Sequence, residues 1–264
     1  MNAQDEAPLI HAELSYAIIG SAMDVHSRIG PGWDEETYHD ALLHALARQG
    51  MKAESKLRGV LKNHNLTADE FELDILVEDT IILELKHILK PFAPTHHFQL
   101  INYLKFWRKN LGILINFGLD RLQSKRIPFT SVPGVIKRDE SWDTLNSNTA
   151  KQIDLIFNSI LSAHGLGYGG ETYKKLFQTE CAQRIIPCSI PSVTLKFEGA
   201  CLGEKQIGAF CLDSNILISI TALNEQSSAT DMTRLLSYMR QTGLHTGLLA
   251  NFGKTSLDLR LLTQ

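Results

Sequence analysis

Three charged residues interrupt an otherwise apolar pair of predicted strands. Asp74 lies in one strand, and Glu84 and Lys86 lie in the next. Because Glu84 and Lys86 are two residues apart, their side chains point to the same face of a strand. Asp74 and Glu84 are each five residues from Asp79. A hairpin centred on Asp79 therefore makes them cross-strand neighbours, with Cβ atoms roughly 5 Å apart.

Two carboxylates this close repel each other, so one of them resists ionisation unless a cation lies between them. Mg²⁺ binds carboxylate oxygens at about 2.0–2.1 Å, which makes Asp74 and Glu84 candidate ligands of Mg²⁺ or Mn²⁺. Lys86 can then orient a water or help to deprotonate it, as in metal-assisted hydrolysis of phosphodiester bonds. The alternative is that Glu-x-Lys marks a solvated sheet face, although leucine, isoleucine and valine residues surround all three charges.

The surrounding sequence predicts the elements that must position these residues. Apolar residues at helical spacing, Asp34 as an N-cap and Thr95 as a second cap predict helices. The predicted helices cover 13–28, 34–49 and 95–109. Strand-forming runs, with a tight turn at Glu78-Asp79-Thr80, predict a sheet. The predicted strands cover 52–61, 71–77, 81–88, 111–117 and 124–129.

The chain carries this pattern twice. Asn116-Phe-Gly118 recurs as Asn251-Phe-Gly253, 135 residues further along, and other matches follow in the same order at the same spacing. We therefore predict two copies of one domain, at 1–129 and 149–264. The segment 130–148 is rich in Pro, Gly, Ser, Thr and Asn, and is predicted to be a linker. In the second copy, helices are expected near 150–163, 171–184 and 228–242, and strands near 193–223 and 244–262.

The first copy resembles a known superfamily. Asp74 followed by Glu84-Leu-Lys86 resembles the motif of the PD-(D/E)xK nucleases, although Leu73, and not proline, precedes the aspartate. Gly32-Trp-Asp-Glu35-Glu-Thr-Tyr38 matches GxxExxY, the motif that names a bacterial family within that superfamily. Gln99-Leu-Ile-Asn-Tyr103 matches the QxxxY element of its exonuclease-like branches. Leu114-Ile-Asn-Phe-Gly118 matches the LINFG strand of the GxxExxY family.

The resemblance implies an α/β fold of the restriction-endonuclease type, with two αβββαβ domains that each have a mixed central sheet flanked by helices. It implies that Asp74 and Glu84 bind the metal and that Lys86 is the catalytic lysine. Glu35 would be a further ligand or would position a water. Gln99 and Tyr103 would line the site from the next helix. His96 stands where the family often has a histidine; it is either part of the site or a solvent-facing residue near a helix end.

The second copy lacks the charged residues. The 135-residue spacing aligns the five polar site positions with residues that cannot do the same chemistry. The pairs are Glu35 with Gly170, Asp74 with Ala209, Glu84 with Ser219, Lys86 with Thr221, and Gln99 with Arg234. We therefore expect a degenerate, inactive repeat that packs on the first copy as a pseudo-dimer partner. The alternative is that neither copy is catalytic.

Composition sets limits on location and partners. The formal net charge is −3, so any attraction to nucleic acid must come from a local basic surface. No apolar run approaches the roughly 20 residues that a membrane span requires. The first six residues lack a basic start and an apolar stretch, and we expect a cytoplasmic protein. The leading hypothesis is a Mg²⁺-dependent nuclease that acts on DNA or RNA. The alternative is a non-catalytic nucleic-acid-binding or scaffolding protein with a vestigial metal site.

Overall fold

The computed structural model describes residues 9–223 and 228–264. The first six residues, for which we expect no secretory signal, lie outside the described residues. The chain divides into two compact units. Unit 1 comprises residues 1–59 and 70–130. Unit 2 comprises residues 60–69 and 131–264.

The elements of the first repeat follow the αβββαβ order with one added helix and one added strand. Its helices are α1 (Ala12–Ile29), α2 (Glu35–Arg48) and α3 (Pro94–Phe106). Its strands are β1 (Ala53–Asn63), β2 (Leu66–Val77), β3 (Ile81–Lys86), β4 (Leu111–Asn116) and β5 (Gln123–Pro128). The sheet has the order β1-β2-β3-β4-β5. It is mixed, because β3 and β4 are parallel whereas β2–β3 and β4–β5 are antiparallel.

The sheet of unit 1 separates two layers of helix. The odd-numbered residues of β3, including Leu83 and Leu85, face a core shared with α1 and α2. Alternation then turns Glu84 and Lys86 to the opposite face. On that face lies Gly112 of β4, where an added Cβ would come within 2.7 Å of the Leu100 side chain of α3. The glycine therefore lets α3 pack closely beside the charged residues.

Local chemistry explains most of the element boundaries. Asp34 caps α2 as expected, since its carboxylate accepts a hydrogen bond from the N–H of Thr37 at 2.8 Å. The expected Thr95 cap is wrong, because α3 starts at Pro94 and its N-cap is Ala93. Proline suits the first helical turn, where its missing N–H costs nothing. The imidazole Nδ1 of His96 accepts from the Ala93 N–H at 3.1 Å instead.

The second repeat reproduces these elements. Its helices are α4 (Ser147–His164), α5 (Gly170–Gln183) and α6 (Ala229–Thr242). Its strands, preceded by β6 (Val135–Arg138), are β7 (Cys188–Ser189), β8 (Ser192–Phe197), β9 (Ala200–Gln206), β10 (Phe210–Leu212), β11 (Ile216–Ala222), β12 (Thr246–Phe252) and β13 (Ser256–Thr263). The helices α4 and α5 begin and end 135 residues after α1 and α2.

The sheet of unit 2 differs from that of unit 1 in two ways. Its order is β6-β13-β12-β11-β10-β7, and β8 and β9 form a separate two-stranded sheet. The added strand β6 pairs in parallel with β13, so the segment predicted as a linker contributes to this sheet, and unit 2 starts at Ser131. The predicted fold class, two repeated α/β domains with mixed sheets and flanking helices, is confirmed. None of the described helices is both long and apolar enough to span a membrane.

Candidate active site

The register of β2 against β3 places Asp74 opposite Glu84. The strands pair Ile75 with Leu83, and the same register continued by one residue joins Asp74 to Glu84. Glu84 is 0% exposed, and its Oε2 atom has no hydrogen-bond partner among the described residues. Asp74 Oδ2 accepts a hydrogen bond from the backbone N–H of Leu85 at 2.7 Å. This bond fixes the Asp74 carboxylate against β3.

Lys86 lies between two carboxylates. Its Nζ atom donates a hydrogen bond to Glu84 Oε1 at 2.5 Å and lies 4.0 Å from Glu35 Oε1. Glu35 is the first residue of α2, and its Oε2 accepts from the backbone N–H of His87 at 3.2 Å. The start of α2 is thereby tied to the end of β3, so that Glu35, Glu84 and Lys86 come together.

Burial and mutual repulsion shape the charges of this cluster. Burial, reinforced by the nearby Asp74 charge, raises the pKa of Glu84 to about 8. Burial likewise raises the pKa of Asp74 above its ordinary value, although the Leu85 hydrogen bond opposes this. For Lys86, burial acts to lower the pKa, but the Glu84 carboxylate outweighs it and the pKa lies above its ordinary value. In the metal-free protein, Lys86 is therefore protonated at neutral pH.

The helix α3 contributes Gln99 and Tyr103 near this cluster. The side-chain amide of Gln99 donates to the Tyr103 hydroxyl at 2.9 Å. Tyr103 is buried, and burial together with the Glu84 charge raises its pKa above the ordinary value. His96 is partly buried, and burial followed by the Lys86 charge lowers its pKa. These electrostatic influences indicate that both rings lie close enough to sense the carboxylates and the lysine.

Asn116 holds the chain that follows β3. Its Oδ1 atom accepts from the N–H groups of Ile88 and Gly118, both at 3.0 Å. Its Nδ2 atom donates to the carbonyl of Ile88 at 3.0 Å. An added Cβ at Gly118 would come within 2.6 Å of the Ile88 backbone N. The Asn-Phe-Gly sequence thus fixes the segment directly after Lys86, which gives this repeated sequence a structural role.

Tyr38, the last residue of GxxExxY, also has a structural role. Its ring is 0% exposed and stacks on Phe117 with ring centroids 4.7 Å apart. Its hydroxyl donates to the Gly30 carbonyl at 2.7 Å. In the second repeat, Tyr173 stacks on Phe252 in the same way, with centroids 3.7 Å apart. The two repeated motifs therefore contact each other inside each repeat.

Sequence reasoning missed His87. Its backbone N–H binds Glu35, its ring packs on Tyr38 with centroids 5.7 Å apart, and its Nε2 atom is buried with no hydrogen-bond partner among the described residues. Its position directly after Glu84-Leu-Lys86 was the only signal in the sequence.

A second acidic group lies elsewhere on α2. The ligand atoms of Glu36, His39 and Asp40 all lie within 4.8 Å of one another, the only such three-residue group in the described part of the chain. The atoms of this group are already engaged. Lys56 binds both carboxylate oxygens of Glu36 at 2.6 and 2.7 Å, and His39 Nε2 bonds with the Ser55 hydroxyl at 2.8 Å. An ion pair and a hydrogen bond thus account for these side chains.

The corresponding place in unit 2 keeps the backbone geometry without the charges. β3 pairs Lys86 with Asn116, and β11 pairs Thr221 with Asn251 in the equivalent register. Thr221 Oγ1 donates to Asn251 Oδ1 at 3.0 Å, so a neutral hydrogen bond stands where the first repeat has a lysine. Ala209 is 3% exposed and brings no ligand atom.

Comparison with known proteins identifies the family. The chain belongs to the PD-(D/E)XK nuclease superfamily, whose sequence model matches residues 12–127 and again residues 147–261. No curated protein matches the chain. Among solved structures, the crystal structure of SSO0001 is similar at 18% sequence identity with a TM-score of 0.31. The similarity covers 48% of this chain, and the chain spans 58% of the length of that protein.

Proposed function

We propose that this protein is a cytoplasmic, Mg²⁺- or Mn²⁺-dependent nuclease that hydrolyses phosphodiester bonds of DNA or RNA with the residues of its first repeat. One observation carries the proposal. The buried Glu84 has a carboxylate oxygen without a partner, faces Asp74 across the hairpin, and lies beside Lys86. Burying such a group is costly unless a partner compensates for it, and a divalent cation is a partner of the required charge.

The side chains present fit a hard divalent cation. Asp74, Glu84 and Glu35 offer only carboxylate oxygens, which are the ligands that Mg²⁺ and Mn²⁺ prefer. The unpartnered Glu84 Oε2 and the opposing Asp74 would bind the ion, and the partly exposed Glu35 would complete the set or position a water. A bound divalent cation supplies Lewis-acid polarisation of a phosphoryl oxygen and lowers the pKa of a coordinated water.

Lys86 acts as a charged hydrogen-bond donor. Because the neighbouring carboxylates keep its pKa above the ordinary value, the ammonium is suited to orienting a water or neutralising a phosphate oxygen. Tyr103 and Gln99 act together. The hydroxyl of Tyr103 accepts a hydrogen bond from Gln99, so its own proton is free to point towards a substrate oxygen. We assign both side chains to positioning the phosphodiester.

We place the chain in the GxxExxY family and assign its two repeats different roles. Residues 1–129 hold the active site, 130–148 connect the repeats, and 149–264 form a degenerate repeat that serves as an intrachain pseudo-dimer partner. Ser219 and Thr221 in place of Glu84 and Lys86 support the loss of chemistry, since neither carries a charge. The retained register of β11 with β12 supports retention of the fold for a structural reason.

A second function is favoured by one contact. Lys86 and Glu84 bond each other at 2.5 Å, so the pair satisfies part of its own charge. A non-catalytic nucleic-acid-binding or scaffolding protein would retain such a pair as a vestige of a metal site. Metal dependence separates the two, because nucleic-acid binding without turnover requires no bound cation.

Cleavage of nucleic acids tests the proposal. Purified protein is incubated with single- and double-stranded DNA and with RNA, in Mg²⁺, in Mn²⁺ and in EDTA. The proposal predicts cleavage of at least one substrate with metal and none with EDTA, and loss of cleavage in Glu84→Gln. The matched control is Glu180→Gln, because Glu180 is also 0% exposed but lies in unit 2. Binding without cleavage in every metal condition would favour the scaffolding alternative.

A further inference from the structure

The tip of the β1–β2 hairpin, residues 60–69, is part of unit 2. Asn63 is 1% exposed, and its amide donates to Glu180 Oε2 at 2.9 Å and to the Thr179 hydroxyl at 3.2 Å. Its Oδ1 bonds with His164 Nε2 at 3.0 Å. His164 ends α4, and Glu180 lies on α5. The tip therefore occupies a groove between α4 and α5, and a buried polar network holds it there.

Further polar contacts secure the two sides of this tip. His64 Nε2 lies 2.9 Å from Glu180 Oε2, and the opposite oxygen of Glu180 accepts from Arg184 at 2.7 Å. Asp69 accepts from Lys175 at 2.6 Å and from the Thr172 hydroxyl at 2.8 Å. The groove of unit 2 is thus a polar seat for a polar hairpin tip.

Unit 1 has the same groove with apolar residues in these positions. Between α1 and α2 lies a cavity of about 290 Å³ lined by Val25, Ile29 and Ala45, with Arg28 and Arg48 among the other lining residues. The 135-residue spacing aligns Ile29 with His164 and Ala45 with Glu180. Both polar anchors of the groove in unit 2 are therefore replaced by aliphatic side chains in unit 1.

The hairpin of the second repeat has changed in the matching way. The sequence Leu61-Lys62-Asn63 aligns with Leu195-Lys196-Phe197 in the β8–β9 hairpin. Where Asn63 is buried, Phe197 is 64% exposed, and Leu202 is 55% exposed at the position of the buried Ala68. A two-stranded sheet with exposed apolar side chains is marginal by itself, and such a patch indicates a binding surface.

We propose that the β8–β9 hairpin (Ser192–Gln206) of one chain docks in the α1–α2 groove of a second copy of this chain. The occupied groove in unit 2 shows that a hairpin of this family of repeats fits this kind of groove. The polar tip has a polar groove, and the apolar tip has an apolar one. Glu198 in the β8–β9 turn has the opposite charge to Arg28 and Arg48 at the groove. Reciprocal docking gives a twofold-symmetric dimer with two identical contacts. The inference is independent of the nuclease activity.

Sedimentation equilibrium of the full-length protein over a range of concentrations tests this interface. The expected result is a dimer in the wild type. Phe197→Glu and Ala45→Glu should each be monomeric, because a carboxylate in an apolar contact without a partner is strongly unfavourable. Tyr16→Glu is the matched control, since Tyr16 lies on α1 outside the groove and is 67% exposed; this variant should remain dimeric.

A mixture of two variants provides a stricter test. The Phe197→Glu chain keeps its groove, and the Ala45→Glu chain keeps its hairpin, so mixing them should restore one docking contact and a mixed dimer. Phe197 is exposed, so its substitution leaves the fold intact, which circular dichroism checks. A wild type that stays monomeric at about 100 μM, well above the micromolar range of weak specific contacts, would overturn the proposal. So would a dimer that both variants leave unchanged, or a monomer in which Phe197 is shielded within its own chain.

Discussion

Glu84 and Lys86, two residues apart on β3, are joined by a 2.5 Å hydrogen bond on the face of the sheet that α3 covers. The bond uses one oxygen of a carboxylate that is 0% exposed and leaves the other without a partner among the described residues. A purely structural ion pair would be more economical if both oxygens were satisfied. The unused oxygen therefore favours a site that receives a further ligand.

Replacing Lys86 separates chemistry from metal binding. Lys86→Ala should reduce cleavage by about 100-fold or more, the usual range for a group that assists proton transfer or orients a water. Mn²⁺ binding measured by calorimetry should persist, because the lysine is not a ligand and its removal leaves both oxygens of Glu84 available. Lys56→Ala is the control, since Lys56 is an ion-paired lysine on the neighbouring β1. An unchanged cleavage rate in Lys86→Ala at saturating metal would remove Lys86 from the mechanism.

The raised pKa of Glu84 predicts how stability depends on pH. Because burial and then Asp74 raise this pKa from 4.5 to about 8, the folded protein retains a proton that the unfolded chain releases. The stabilisation from this group is fully present below pH 4.5 and is lost as the pH rises through about 8. Urea denaturation in EDTA should therefore show a declining free energy of unfolding from pH 5 to 9.

Glu84→Gln is the comparison for this pH series. The variant should lose less stability over the same interval, with a residual decline from Asp74, whose pKa is raised in the same direction. Parallel pH profiles for the wild type and Glu84→Gln would show that Glu84 ionises as an ordinary surface carboxylate does.

Glu35 should matter less than Glu84. Its side chain is 48% exposed, and it is held by one backbone N–H at 3.2 Å. Glu35→Gln keeps the shape and the accepting oxygen but loses the charge, so we expect weaker Mn²⁺ affinity and slower cleavage, with a measurable residue of both. Glu36→Gln, which alters the next residue and its ion pair with Lys56, is the control. Equal losses in the two variants would point to a disturbed helix start instead of a role in the site.

Gly118 should be intolerant of a side chain. An added Cβ would come within 2.6 Å of the Ile88 backbone, which cannot rotate away, so Gly118→Ala should cost about 1–3 kcal/mol, the range for overpacking. Gly20→Ala is a suitable control, because α1 has nothing within 4 Å of that position and alanine favours helix by about 1 kcal/mol. Chemical denaturation of both variants checks this, and equal stability in the two would refute the close approach.

The sequence predicted the hairpin and the repeat well because both depend on local patterns. The turn at Glu78-Asp79-Thr80 fixes the register that brings Asp74 opposite Glu84. The spacing of 135 residues recurs in the bounds of α4 and α5. Apolar alternation and glycine positions encode these features within short stretches of chain.

Features that depend on distant contacts were not predictable. The predicted strand at 71–77 extends back to Leu66, because Ala68, in a polar stretch, is buried in unit 2. In the second repeat, Pro187 and Pro191 confine β7 to two residues, since proline cannot donate to a sheet. Nothing local distinguishes His87 from its neighbours, and its contact with Glu35 depends on the position of α2.

Crystallography with Mn²⁺ tests the central claim most directly. Anomalous difference density from crystals soaked in Mn²⁺ should show a peak between Asp74 and Glu84, within reach of Glu35, and none beside Ser219 and Thr221 in the second repeat. A peak at Glu36, His39 and Asp40, or no peak in either repeat at millimolar Mn²⁺, would contradict the assignment of the metal centre to Asp74 and Glu84.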